Sequence, residues 1–195
     1  MGSDTQGTIG DTKERTSKLE AIGGNIVVGC SGTAIYIDFF TRKLANKLSG
    51  MRLGDDYFGI LDDIVKEYSA YAQSVLARVD PKIDPQTWEE LRKSICLSAL
   101  VGVSDHNRYR IFEIETPNTP RELPFDKEDR GTIGYGEIYA RLLLTIGERI
   151  SRKSLPDKVW SNLSVELVAK VCYLILRRVI AYDLYTGGEP LIYLI

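Results

Sequence analysis

Two long stretches of helical periodicity follow one another in the first half of the chain, and they constrain the fold most strongly. In the first stretch, apolar residues recur every three or four positions from Ile37 to Leu48, and Gly50 follows. The second stretch, YFGILDDIVKEYSAYAQSVLARV, has its own apolar stripe: Phe58, Leu61, Val65, Tyr68, Ala72, Val75 and Val79. Each stripe predicts an amphipathic helix that must bury one face against another element.

Short apolar segments flank this helix pair. SKLEAI and NIVVGCSG, joined by Gly23-Gly24-Asn25, predict a β-hairpin, and ICLSALVGVS and RYRIFEIET predict a second one. DPQTWEELRKS is predicted as a short helical turn or linker. Beyond a proline-punctuated segment, EIYARLLLTIGERI and LSVELVAKVCYLILRRVIAYD predict two more helices, and EPLIYLI a last strand. Hairpins that alternate with pairs of helices predict an α+β fold, a four-layer α-β-β-α sandwich of two antiparallel sheets between helical layers.

Length and charge limit the function classes. A chain of 195 residues suits a single domain, residues 1–195, with a sizeable core. Because the formal net charge is −2, no strong field favours nucleic acid or an anionic membrane, and no apolar run is long enough to cross a bilayer. The N-terminus lacks a basic-then-apolar signal pattern, so we expect a cytoplasmic protein without nucleic-acid or membrane partners.

The cysteines and the single histidine do not have the spacing of a metal site. Cys30, Cys96 and Cys172 are widely separated and lie in apolar runs, which predicts small buried side chains in a reducing compartment. His106 is predicted to lie in a turn. TGGEP lacks the Gly-Lys-Ser/Thr ending of a phosphate loop. We therefore expect no metal and no cofactor.

Three separated motifs resemble those of proteasome subunits in the N-terminal-nucleophile (Ntn) hydrolase family. SDTQGT resembles the A-x-D-x-x-x-T turn, and SKLEAIGGNIVVGCSGTAIYIDFF resembles the hairpin, small-Gly pair and first helix that follow it. RRVIAYDLYTGGEPLIYLI resembles the helix that ends in R-D-x-x-S/T-G-G and runs into a strand. The turn at Gly134–Gly136 fits the same order. The resemblance covers nearly the whole chain, although the segment from Asp56 to Lys93 is longer than expected.

The resemblance implies supporting roles for a small set of residues. In the family an N-terminal Thr supplies the nucleophile and its own α-amine, which titrates at about pH 8, acts as the base. A lysine beside the amine favours its neutral form, an acid holds that lysine, and a glycine N–H serves as oxyanion donor. The residues that match these supporting positions are Asp4, Lys18, Gly32, Asp183 and Thr186.

The same residues also have interpretations without catalysis. Asp4 is typical of a turn, and Lys18 of the outward side of a half-buried strand. Gly32 is also explained as the residue before a helix. Asp183 and Thr186 are typical of a helix C-terminus. The residues alone leave both interpretations open.

The chain departs from the family pattern in two places. In the family the turn acid follows an apolar first strand that begins with Thr, whereas here it is residue 4. Gly2 has no hydroxyl or thiol, and Thr5 and Thr8 are internal. Tyr135 stands where the family has a Ser that assists the amine. We therefore expect that the first strand and the nucleophile are missing, either because the sequence is shortened or because a natural relative has shed the strand.

The resemblance implies three functions. The first is a threonine-type peptidase subunit that acts on peptide or unfolded protein and is inactive in this chain for want of its nucleophile. The second is a non-catalytic structural subunit, and the third is a divergent Ntn amidase. The partners implied for the subunit readings are copies or relatives of this chain in a homo- or hetero-oligomeric ring.

Overall fold

The computed structural model describes residues 1–3, 6–9, 12–15, 18–52, 54–105, 108–123, 133, 138, 140–146, 164–182, 188 and 190–192. The strands are β1 (Gly2–Ser3), β2 (Gln6–Ile9), β3 (Thr12–Arg15), β4 (Leu19–Ile22), β5 (Ile26–Ser31), β6 (Ser98–Asp105), β7 (Arg108–Glu115), β8 (Arg121–Leu123) and β9 (Leu191–Ile192). The helices are α1 (Ala34–Leu48), α2 (Tyr57–Leu76), α3 (Pro85–Ile95), α4 (140–146) and α5 (Val165–Tyr182).

The central sheet is antiparallel, with the strand order β4-β5-β6-β7-β8. Both predicted hairpins, β4-β5 and β6-β7, are confirmed. Val28 pairs with Val101, which pairs with Phe112. Because successive side chains in a strand point to opposite faces, these three residues lie on one face of the sheet. Outside this sheet, β2 pairs with β3, and β1 pairs with β9.

Helices α1 and α2 cover that face, and the main core lies between them and the sheet. The predicted α1 stripe is confirmed, since Phe40, Leu44 and Leu48 are fully buried. Each buried side chain of this size contributes about 1.5–3 kcal/mol relative to exposure. The buried members of the core that come from α2, β5, β6 and β7 include Tyr57, Leu61, Ile64, Val65, Tyr68, Ile26, Val28, Ala99, Val101, Val103, Phe112 and Ile114.

The α2 stripe is partly wrong. Phe58 is 43% exposed, while Tyr57 and Ile64, which the pattern left out, are fully buried. The reason is the start of the helix, because α2 begins at Tyr57, whose ring stacks on Phe112 with centroids 5.8 Å apart. Val79 lies beyond the end of α2.

The opposite face of the sheet is also buried at its centre. Val27 is fully buried, and Leu19 and Leu100 nearly so. The Met1 Sδ lies 3.4 Å from the position that a Cβ on Gly29 would take. Helix α5 contacts both β1 and β9. The α+β class is confirmed. The four-layer arrangement stays a prediction, because β1 and β9 each have only two residues among those that the structure describes.

Two other predictions are corrected. The segment expected as a short helical turn or linker is a longer helix, α3, with 11 residues, which begins with Pro85 after an Asp84 cap. Cys30 is buried as expected and Cys172 is half-buried, but Cys96 is exposed. Cys96 is exposed because it lies at the C-terminal cap of α3, outside the apolar strand β6 that follows. His106 lies outside the described residues.

Candidate functional site

Two of the residues singled out from the sequence meet at one end of the β4-β5 pair. Lys18 directly precedes β4 and is half-buried, and its carbonyl accepts a 3.2 Å hydrogen bond from the Cys30 N–H. Gly32 follows Ser31, the last residue of β5, and is exposed. Lys18 is therefore opposite Cys30, which lies two residues before Gly32 in the chain. The other site residues, Asp4, Asp183 and Thr186, and the turn residues 134–136 lie outside the described part of the chain.

Gly32 has a backbone conformation that requires glycine. Its φ is +148°, which L side chains rarely adopt. A Cβ there would lie 3.0 Å from the Leu97 Cβ and 3.2 Å from the Cys96 carbonyl oxygen. Sterics alone thus explain why this residue is glycine. Gly32 is nevertheless exposed.

Thr33 connects this turn to α1 in an unusual way. It occupies the N-cap position of α1 in an extended conformation, but its side chain makes no capping hydrogen bond. The Thr33 hydroxyl instead donates to the Ser94 carbonyl at 2.8 Å. The first turn of α1 contains no acidic residue. The N-terminus of α1 is therefore without a carboxylate or hydroxyl cap from its own sequence.

The two following helices are capped in the usual way. The Asp56 carboxylate accepts a 2.9 Å hydrogen bond from the Gly59 N–H at the start of α2. The Asp84 carboxylate accepts a 3.0 Å bond from the Thr87 N–H at the start of α3. The Thr87 hydroxyl, followed by its backbone N–H, holds the pKa of Asp84 below its ordinary value. These carboxylates offset the positive ends of their own helices.

The start of α1 can therefore act on an external negative oxygen. A helix N-terminus carries roughly half a positive charge and presents backbone N–H donors. At α1 these lie next to Gly32, which is exposed. Such a site stabilises a carbonyl oxygen on which negative charge develops.

No protein-family model matches the sequence, and no curated protein matches it. Among solved structures, eukaryotic HslV from Trypanosoma brucei is similar, with a TM-score of 0.53 and 18% identity. The match covers 97% of this chain and 88% of that one. The chain has an HslV-like fold. This likeness agrees with the proteasome-like resemblance of the sequence at the level of fold.

Within the HslV-like fold, the two described thiols near the Gly32 turn differ in burial. Cys30 is buried, and burial raises its thiol pKa to about 12. It is therefore a poor nucleophile at neutral pH. The exposed Cys96 lies on the other side of Gly32, with its Sγ 3.5 Å from the Arg92 carbonyl. Neither position supplies the N-terminal alcohol that the resemblance implies.

Sequence reasoning missed Thr33 as a site residue. The only signal was its place between a glycine and an apolar stripe, which is typical of an N-cap. Its real partner, Ser94, is 61 positions away in the sequence. That contact depends on where α3 ends, which the sequence pattern did not predict.

No three metal-ligating side chains come together among the described residues. None of the helices in the described ranges has both the length and the apolar character to cross a bilayer.

Proposed function

We propose that this chain is a proteasome-like subunit of the Ntn-hydrolase type, in which the Gly32 turn binds the backbone of a peptide. The observation that carries the proposal is the uncapped N-terminus of α1 directly behind an exposed glycine. The HslV-like fold supports it.

The proposed chemistry uses backbone amides. The Gly32 N–H and the positive end of α1 hold the peptide carbonyl oxygen, and glycine allows the close approach. In a complete active site, loss of one such donor lowers the rate by about 100-fold or more. Lys18 is proposed to keep the local potential positive, with Asp4, Asp183 and Thr186 in the supporting roles that the family resemblance implies.

We propose that a polypeptide of this sequence binds peptides without cleaving them. An Ntn nucleophile needs a hydroxyl or thiol and a free α-amine on the same residue. In this sequence Met1 and Gly2 have neither group on the side chain, and Thr5 and Thr8 are internal.

The experiment is hydrogen exchange measured by mass spectrometry, with and without an N-acetylated tripeptide amide. We expect the peptide to slow exchange in residues 31–37 and to leave residues 99–103 at the centre of β6 unchanged. Intact mass after treatment with an N-terminal-threonine-directed covalent inhibitor should show no adduct. A wild-type chain in which the peptide protects no amide in 31–37 contradicts the proposed function.

Two variants of Thr33 sharpen the test. Thr33→Asp places a carboxylate at the N-cap, where it competes for the amides that the peptide needs, so binding should fall by at least about tenfold. Thr33→Val removes the same hydroxyl without adding charge and should bind more tightly than Thr33→Asp. Asn46→Asp, which adds the same charge on the exposed side of α1, should bind like the wild type. Equal binding by all three variants contradicts a role for the α1 N-terminus.

A second observation supports assembly into a ring. Ile138, Leu142 and Ile146 recur every fourth residue and are all exposed, Ile138 by 77%. Leu167 and Leu174 on α5 are also exposed. Exposed apolar stripes of this kind mark interaction surfaces. We propose that they are buried between subunits in a homo- or hetero-oligomeric ring.

Sedimentation velocity tests the ring. The wild type is expected to sediment as a large oligomer, and Leu142→Lys combined with Leu174→Lys as a monomer. Lys66→Ala, which changes an exposed residue on α2, is the control and should leave the oligomer intact. A monomeric wild type would show that these stripes do not join copies of this chain.

A further inference from the structure

The Gly32 turn is held from outside by residues that come much later in the chain. The Thr33 hydroxyl bonds the Ser94 carbonyl at the end of α3. The Gly32 backbone rests on Leu97, because a Cβ at Gly32 would lie 3.3 Å from the Leu97 Cα. The position of residues 94–97 therefore determines where the Gly32 N–H lies.

Leu97 is held by its own packing in the core and by hydrogen bonds to Thr116. Thr116, at the end of β7, is 7% exposed and is the one buried polar residue in the described part of the chain. Its hydroxyl accepts a 2.9 Å hydrogen bond from the Leu97 N–H and lies 3.2 Å from the Leu97 carbonyl, to which it can donate. The Thr116 N–H also donates to that carbonyl at 3.0 Å.

The strand ladder does not require the Thr116 hydroxyl. β5, β6 and β7 are already in register up to their ends, where Ser31 pairs with Ser98 and Ser98 with Glu115. Thr116 and Leu97 lie one residue beyond this ladder. A hydroxyl that binds both backbone groups of Leu97 therefore fixes the residue that supports Gly32, outside the regular sheet.

We propose that Thr33 and Thr116 are positioning residues that hold the Gly32 N–H in the orientation in which it binds a peptide carbonyl. Thr116 acts through Leu97, and Thr33 acts through Ser94. Neither touches the peptide. The inference rests on the proposed role of Gly32 in peptide binding.

The test uses matched threonine variants in the full chain. Thr116→Val keeps the shape and removes the hydroxyl, whereas Thr116→Ser keeps the hydroxyl. Thr33→Val tests the exposed Thr33–Ser94 hydrogen bond, whose loss is not expected to prevent folding. Two quantities are measured: amide exchange in residues 31–34 without ligand, and the dissociation constant for the N-acetylated tripeptide amide.

Thr116→Val and Thr33→Val should each speed exchange in residues 31–34 by roughly five- to tenfold and weaken peptide binding by a similar factor, as expected for one lost hydrogen bond. Exchange in residues 99–103 should stay as in the wild type, and Thr116→Ser should restore both readings. Unchanged exchange in 31–34, or an equal increase across β6, overturns the inference. If the wild type binds no peptide but the variants still speed amide exchange in residues 31–34, Thr33 and Thr116 do hold the Gly32 turn and only the proposed function fails.

Discussion

Helices α1 and α3 both begin with backbone N–H groups and a partial positive charge, but only α3 has a carboxylate cap there. At α3 the Asp84 carboxylate bonds the first turn, as Asp56 does at α2, so that the helix N-terminus is satisfied within the fold. At α1 the capping position holds Thr33, which turns its hydroxyl to Ser94. A carboxylate cap is therefore present at α2 and α3 but absent at α1, which begins beside the exposed Gly32. That is what a site for an external carbonyl needs.

The largest change in the free energy of unfolding is expected at Gly32, where the backbone conformation is most restricted. Gly32→Ala should lower the free energy of unfolding by about 2–4 kcal/mol, because Ala is strained at this φ and its Cβ meets Leu97 and the Cys96 carbonyl. Urea denaturation measures it. Gly24→Ala is the matched control, since a Cβ there has no atom within 4 Å. Equal stability of the two variants would mean that the Gly32 turn is not constrained as described.

The next effect compares the two kinds of cap. Asp84→Ala should cost about 1 kcal/mol of unfolding free energy, because it leaves an amide at the start of α3 without its partner. Thr33→Asp should cost less or even stabilise, because residue 33 already has a capping conformation and the carboxylate gains the α1 amides at the expense of the Ser94 bond. Thermal melts check both. If Thr33→Asp lowered the free energy of unfolding as much as Asp84→Ala does, the start of α1 would not be available to a carboxylate.

A smaller effect concerns the start of α2. The Tyr57 ring is buried on Phe112, and its hydroxyl has no hydrogen-bond partner among the described residues. Tyr57→Phe removes a buried polar group that no described residue satisfies, so the free energy of unfolding should stay the same or rise by up to about 1 kcal/mol. Urea denaturation of this variant beside Tyr68→Phe is the check, because Tyr68 does have a partner, the Ile95 carbonyl. Destabilisation of Tyr57→Phe equal to that of Tyr68→Phe would contradict this view.

The sequence predicted the helix pair and both hairpins because period and turn residues are local properties. The prediction that Phe58 is buried was wrong, because the exact start of α2 decides which residue contacts Phe112. Of the residues proposed for the site, Gly32 was singled out through the family resemblance, but Thr33 and Thr116 were not. Their partners lie 61 and 19 positions away, and such contacts depend on where α3 ends and how β6 pairs with β7. Threonines are common in loops, so no local pattern separates these two from the rest.

The smallest effect is a pH dependence that separates the same two helix starts. The pKa of Asp84 is lowered from its ordinary value of 3.8, chiefly by the Thr87 hydroxyl. A carboxyl with a lowered folded-state pKa contributes stability that is present above 3.8 and is lost as the pH falls through the folded-state pKa. Asp84→Asn keeps the cap but cannot titrate, so its stability should fall less than that of the wild type on acidification. Thr33→Asp adds a titrating cap at α1, so its stability should fall more than that of the wild type on acidification. Denaturation midpoints at neutral pH and below pH 3.8 measure both slopes, and parallel curves for all three proteins would show that neither helix start is coupled to a carboxylate.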